Sequence, residues 1–132
     1  MNAKDLMIGD WVRTEAGELI IAGIGQKIYC RDDSGNPTHI WEVTTIEPIP
    51  LTPEILLKNG FEEWKQPRLT TLWTGYGKDN EDDLEVTFVE SNGSTSVKLD
   101  VKGSLLMTMN VNHVHELQHA FRLCGIEKEI KL

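Results

Sequence analysis

A chain of 132 residues, 39% hydrophobic and 26% charged, is long enough to bury a core and ordinary enough in composition to fold. Its net charge of −8, split evenly between residues 1–50 and 51–132, repels phosphate backbones and anionic lipid, so neither nucleic acid nor a membrane is an expected partner. Cys30 and Cys124 lie far apart, outside any C-x-x-C pair, and read as buried reduced thiols. The N-terminal MNAKDLMIGDW places acids where a signal peptide needs an apolar run, so a cytoplasmic location is expected.

Residues 1–49 read as all-β. Strand-like runs at 10–14, 18–24, 27–31, 38–42 and 43–47 are punctuated by Glu15-Ala16-Gly17 and by the dense turn cluster at 31–37. Five short strands without helical periodicity predict a small twisted or partly closed barrel. The opening Leu6-Met7-Ile8-Gly9-Asp10-Trp11-Val12 resembles the first strand of SH3-like barrels, where a Gly-Asp turn precedes an aromatic and a valine. That resemblance covers roughly a third of the chain and implies a fold class, not a function.

Pro48-Ile49-Pro50 is a stiff extended connector and the expected boundary between a 1–49 part and a 50–132 part. Beyond it, Thr52 suits an N-cap, Pro53 the first helical position and Glu54 the positive end of the dipole. Asn59-Gly60 is the stop, so a helix over 52–59 is predicted. Strands at 61–64, 69–73, 84–90, 95–101 and 103–108 form a predicted antiparallel meander, and Ser91-Asn92-Gly93-Ser94 is its clearest hairpin turn. Alternation puts Leu84, Val86 and Phe88 on one face of the 84–90 strand. A helix over 111–124 follows, and 127–132 is read as a last short strand. The fold class is thus α+β: an SH3-like small β-barrel, a helix, an antiparallel meander and a C-terminal helix.

The C-terminal helix carries the pattern that looks most like catalysis, His115-Glu116-Leu117-Gln118-His119. In H-E-x-x-H, two histidines one turn apart ligate zinc and the glutamate acts as general base on the metal-bound water. Three features oppose that chemistry here. The usual downstream third ligand is missing, with Gly125 at one familiar position and Glu127 and Glu129 confined to a short tail; His113 and His39 are the upstream substitutes. Val111, Val114, Leu117, Phe121 and Cys124 form an apolar stripe, which places His115 and His119 on the face expected to meet solvent. The motif also arises by chance at an appreciable rate.

The stretch from Val114-His115-Glu116-Leu117-Gln118 through Gly125 and Glu127, together with Leu51-Thr52-Pro53-Glu54-Ile55-Leu56 and Asn59-Gly60-Phe61, resembles a family of small uncharacterised proteins from gut Bacteroidetes and their phages. In that family the apolar helix positions persist while the motif's glutamate and second histidine vary, which implies a packing helix. It also implies a phage or mobile element as the source, and it carries no activity.

The run Asp79-Asn80-Glu81-Asp82-Asp83 with Glu90 is similar in spacing to a calcium loop, but Leu84 stands where the sharp-turn glycine is needed, so a solvated loop tip is expected. Gly23-Ile24-Gly25 lacks the remainder of a nucleotide-binding fingerprint. Four tryptophans, Trp11, Trp41, Trp64 and Trp73, are many for this length. Most are expected in the core, yet Trp11, Tyr29 and Trp41 are placed to line an exposed aromatic groove on the barrel. The expectation is a non-enzymatic cytoplasmic interaction or accessory protein that binds a protein or peptide through Trp11, Tyr29 and Trp41, without a cofactor. The alternative is a minimal zinc hydrolase with His115 and His119 as ligands and Glu116 as base.

Overall fold

The structure, a computed structural model, describes residues 2–65, 70–74, 84–91, 94–101, 104–123 and 129–132, with the backbone alone at 39 and across 62–109. The acidic run at 79–83, Cys124 and Glu127 lie outside the described residues. So do the side chains of His39, Trp64, Trp73, Leu84, Val86, Phe88 and Glu90. The fold is α+β, with two antiparallel sheets and two α-helices. Its residues divide into two units, Met1–Pro50 with His113–Gln118, and Leu51–Asn112 with His119–Leu132.

The first unit begins with a tight turn. Asp10 N donates to Met7 O (3.1 Å), Met7 N donates to Asp10 Oδ2 (2.7 Å), and Gly9 sits at φ +94°. A left-handed residue at the third turn position is why glycine stands there. The turn launches β1 (Trp11–Thr14), followed by β2 (Gly17–Ile24), β3 (Ile28–Arg31) and β4 (Pro37–Trp41), paired antiparallel in sequence order. Bulges interrupt the ladder at Ala22 in β2 and opposite Cys30 in β4. The 31–37 turn is held by Asp32, whose Oδ1 accepts from Ser34 N (3.0 Å) and Asn36 N (2.9 Å).

Alternation sets two faces. Val12, Leu19, Ile21, Ile28 and Cys30 point inward with Leu6 and Ile46 to form the core, and Trp41 and Val43 pack against it. The opposite face carries Trp11, Ile20, Arg31, Tyr29 and Ile40, related by the cross-strand pairs Trp11–Ile20, Ile20–Arg31 and Tyr29–Ile40.

The expected barrel is an open sheet. Residues 43–47 do not form the fifth strand: Val43–Thr45 is a 3₁₀ turn, and Glu47 then touches β1 in one isolated bridge, Arg13 and Glu47 exchanging N–H to O bonds of 2.9 and 3.0 Å. The turn arises because Thr45 N and its hydroxyl both bond back to Glu42 O, which takes the chain out of extended geometry.

In the second unit, Thr52 caps α1 (Pro53–Lys58) by accepting from Ile55 N (3.3 Å). Its far end closes in a Schellman arrangement: Gly60 (φ +86°) donates to Leu57 O and Phe61 N donates to Leu56 O (3.0 Å), while Leu56 and Phe61 are both buried. Asn59, buried at the helix end, accepts from Lys131 N (2.7 Å) and donates to Lys131 O (2.7 Å). Residues 129–132, expected as a strand, are instead a tail held by that amide, with Lys58 Nζ on Leu132 O. The meander is β5 (Glu62–Lys65), β6 (Thr70–Thr74), β7 (Leu84–Ser91), β8 (Ser94–Val101) and β9 (Ser104–Asn110), paired in order, with Ser91 opposite Ser94 at the hairpin.

Replacing Gly9 with alanine forces a Cβ into left-handed backbone and is expected to cost about 1–2 kcal/mol, read by urea denaturation. Asp32 gives a pH prediction. Its bonds from the Asn36 backbone, chiefly, hold its carboxyl below the ordinary aspartate value. The lowered group contributes stability above the unfolded value of about 3.9 and loses it as pH falls through the lower, folded value. Amide shifts of Ser34 and Asn36 are therefore expected to titrate with a midpoint below about 3.9, and a midpoint above it contradicts the turn geometry.

Candidate functional site

The second helix, α2 (Val114–Leu123), carries the H-E-x-x-H residues, and its start is fixed by the chain before α1. Val114 N donates to Ile49 O (2.9 Å), Leu51 N donates to Asn112 O (3.0 Å), and Pro50 and His113 form an antiparallel bridge. The Pro-Ile-Pro connector is therefore hydrogen-bonded, with Ile49 buried. One orphan N–H of the first helical turn is satisfied there by a backbone carbonyl.

Glu116 is occupied within that first turn. His113 Nδ1 lies 2.6 Å from Glu116 Oε1, an imidazole N–H donating to a carboxylate. Since Leu117 N bonds His113 O (3.3 Å), His113 is the residue that caps the helix, and Glu116 is three positions on. This is a side-chain version of the capping box, with the acid at the positive end of the helix dipole. The His113 ring also stacks on His115, centroids 5.8 Å apart and planes at 24°.

The solvent-facing position expected for His115 is corrected by the structure: His115 is only 6% exposed, and His119 is half-buried. The apolar stripe is not the only packed face. Taking Val114 as zero and 100° per residue, buried positions run from Ala120 at 240° through Leu117, Phe121 and Val114 to Gln118 at 40° and His115 at 100°. Glu116, His119 and Leu123 fill the remaining sector, and Arg122, at 80°, is the half-buried residue within the arc.

Gln118, a spacer in the motif, bonds backbone groups more than a hundred positions away in the first unit. Its Oε1 accepts from Trp11 N (2.9 Å) and its Nε2 donates to Gly9 O (2.9 Å), so the amide pairs with β1 as a neighbouring strand's peptide group would. The sequence reading missed it, because a glutamine between two histidines carries no pattern of its own.

The H-E-x-x-H residues thus serve three different environments: His115 buried and stacked, Glu116 bonded to His113, His119 at the rim. Among the described residues, no three His, Cys, Asp or Glu side chains meet in an arrangement that could hold a metal ion. Burial pushes the Cys30 thiol pKa up, which keeps it protonated and a poor nucleophile.

Nor do the three groove residues share one surface. Trp11 lies on the outer face but is 7% exposed, Trp41 packs inward on the core, and Tyr29 is 48% exposed on the outer face. Tyr29's exposed neighbour is Ile40, 53% exposed and directly opposite. Strand alternation carried a signal for this: Tyr29 lies between inward Ile28 and Cys30, and Ile40 precedes inward Trp41. No described helix is long and apolar enough to cross a membrane. No protein-family model, no curated protein and no solved structure matches the chain.

Gln118→Leu leaves the Gly9 carbonyl and Trp11 N–H buried without their amide, an expected loss of about 2–4 kcal/mol by chemical denaturation. Glu116→Gln, which weakens a half-exposed pair, is expected to cost about 1 kcal/mol or less. Protein purified without a His-tag is expected to carry no stoichiometric zinc and to show no thermal shift on zinc addition; a zinc-to-protein ratio near unity restores the hydrolase reading.

Proposed function

We propose that this chain is a non-catalytic interaction or accessory protein of the cytoplasm that binds a protein partner through the outer face of its first sheet. The contact is centred on Tyr29 and Ile40 rather than on the tryptophans. The observation that carries the reading is the pairing of two large apolar side chains, each about half exposed, across β3 and β4. Exposed aromatic and aliphatic side chains held on a rigid sheet are what a binding surface needs, since little side-chain entropy is lost on contact.

Tyr29 is positioned, not loose. A Cβ built on Gly23, its cross-strand partner, would lie 3.6 Å from Tyr29 Cβ and Cδ2, so the ring lies across the bare glycine backbone. Trp11 is buried on this same face, and Trp41 packs against the core on the other. The acidic charge favours a cationic partner surface and disfavours nucleic acid. The strand order and the Arg13–Glu47 bridge support reading the first unit as an SH3-like barrel that stops short of closure. The phage or mobile-element origin rests on the sequence resemblance alone.

Two measurements test the surface. Trp11→Ala is expected to cost about 3–5 kcal/mol of stability and Tyr29→Ala about 1 kcal/mol or less, as befits a buried and an exposed aromatic. A photo-crosslinking residue at position 29 in producing cells is expected to give a discrete protein adduct that Ile40→Asp abolishes. The same residue at exposed Ala16 is expected to give none; equal labelling at both positions would sink the proposal.

A further inference from the structure

The two edges of the first sheet are treated differently. Along β1 and just before it, outward backbone groups have partners: Gln118 takes Trp11 N and Gly9 O, and Glu47 takes both groups of Arg13. Along β4, β3 is the one paired neighbour among the described residues. Soluble proteins blunt such edges with charged side chains, proline or a covering element. β4 reads Pro37-Thr38-His39-Ile40-Trp41, with proline only at its first position and no Lys, Arg, Asp or Glu.

A row of side chains also ends at that edge. Gly23, Tyr29 and Ile40 are cross-strand neighbours on β2, β3 and β4, and the next place in the row lies beyond β4. Cross-strand pairs on one face are the unit of sheet stabilisation, so an incoming strand gains most from an apolar residue opposite Ile40. Acids flank the edge at both ends, Asp33 in the preceding turn and Glu42 just after β4. Glu42 is shared with Lys27 at 3.2 Å, an exposed pair that neutralises little.

We infer that β4 is a docking edge for an extended, cationic segment of another protein, which adds as a fifth strand with an apolar side chain opposite Ile40. Main-chain bonds to the edge supply affinity, the Tyr29–Ile40 row selects the apolar positions, and the acidic chain selects basic residues between them. A second copy is disfavoured as occupant because each copy carries −8. The inference rests on the interaction reading above and specifies its partner.

The test uses the full chain and two end-blocked peptides, one alternating valine with lysine and one alternating valine with glutamate. The lysine peptide is expected to bind at least about tenfold more tightly, to weaken between about 20 and about 200 mM salt, and to slow amide exchange across residues 38–41. Ile40→Lys, at an exposed position, is expected to weaken binding about tenfold or more with the unfolding midpoint unchanged. Equal affinity for both peptides, binding of neither, or protection of the 38–41 amides by self-association without peptide overturns the inference. If the position-29 adduct still forms in those cases, the interaction reading survives and only the partner chemistry is wrong.

Discussion

A single amide governs the first unit. Gln118 of α2 presents one donor and one acceptor to Trp11 and Gly9, residues more than a hundred positions away in the chain. In a buried setting those groups cannot turn to water, so the helix is tied to the sheet edge by the cost of leaving them unmatched. The Gly9 turn and the first strand meet the amide in their own backbone, which is why the turn needs Gly9 at φ +94° and Asp10 bonding back to Met7. The second unit repeats the device: Asn59, at the end of α1, pairs both backbone groups of Lys131.

Seen from this clamp, the H-E-x-x-H pattern has a structural explanation. Glu116 stands in the first turn, where an acid is favoured by the helix dipole, and it bonds the capping His113. His115 lies at the edge of a buried arc that Gln118 widens beyond the apolar stripe. In an H-E-x-x-H zinc site the two histidines one turn apart are necessary but not sufficient. The coordinating atoms must also converge with a third ligand in a cleft, and that convergence is a property of the neighbours.

The clamp also bears on the edges of the first sheet. Gln118 and Glu47 bond the β1 side, while among the described residues β4 has β3 as its one paired strand, with exposed Tyr29 and Ile40 beside it. Trp11 is buried on one face of the sheet and Trp41 packs against the core on the other, whereas Tyr29 is about half exposed.

The local elements were legible in the sequence because local chemistry decides them. Thr52, Pro53 and Gly60 mark the ends of α1, and Ser91 to Ser94 mark a hairpin, through bonds made within a few residues. The failures had two sources. Residues 43–47 look like a strand, yet Thr45 bonds back to Glu42 three positions earlier, a local competitor that strand propensity does not reveal. The strand-like tail at 129–132 is captured by Asn59 from far along the chain. Which of Trp11, Tyr29 and Trp41 faces water follows from strand register and from what covers each face, and Trp11 is outward yet buried. By itself the sequence determined the α+β class, the turns, the caps and the acidic character. Only the tertiary structure decided that Gln118 outranks the histidines beside it, because an amide gains its meaning from the backbone groups that folding brings to it.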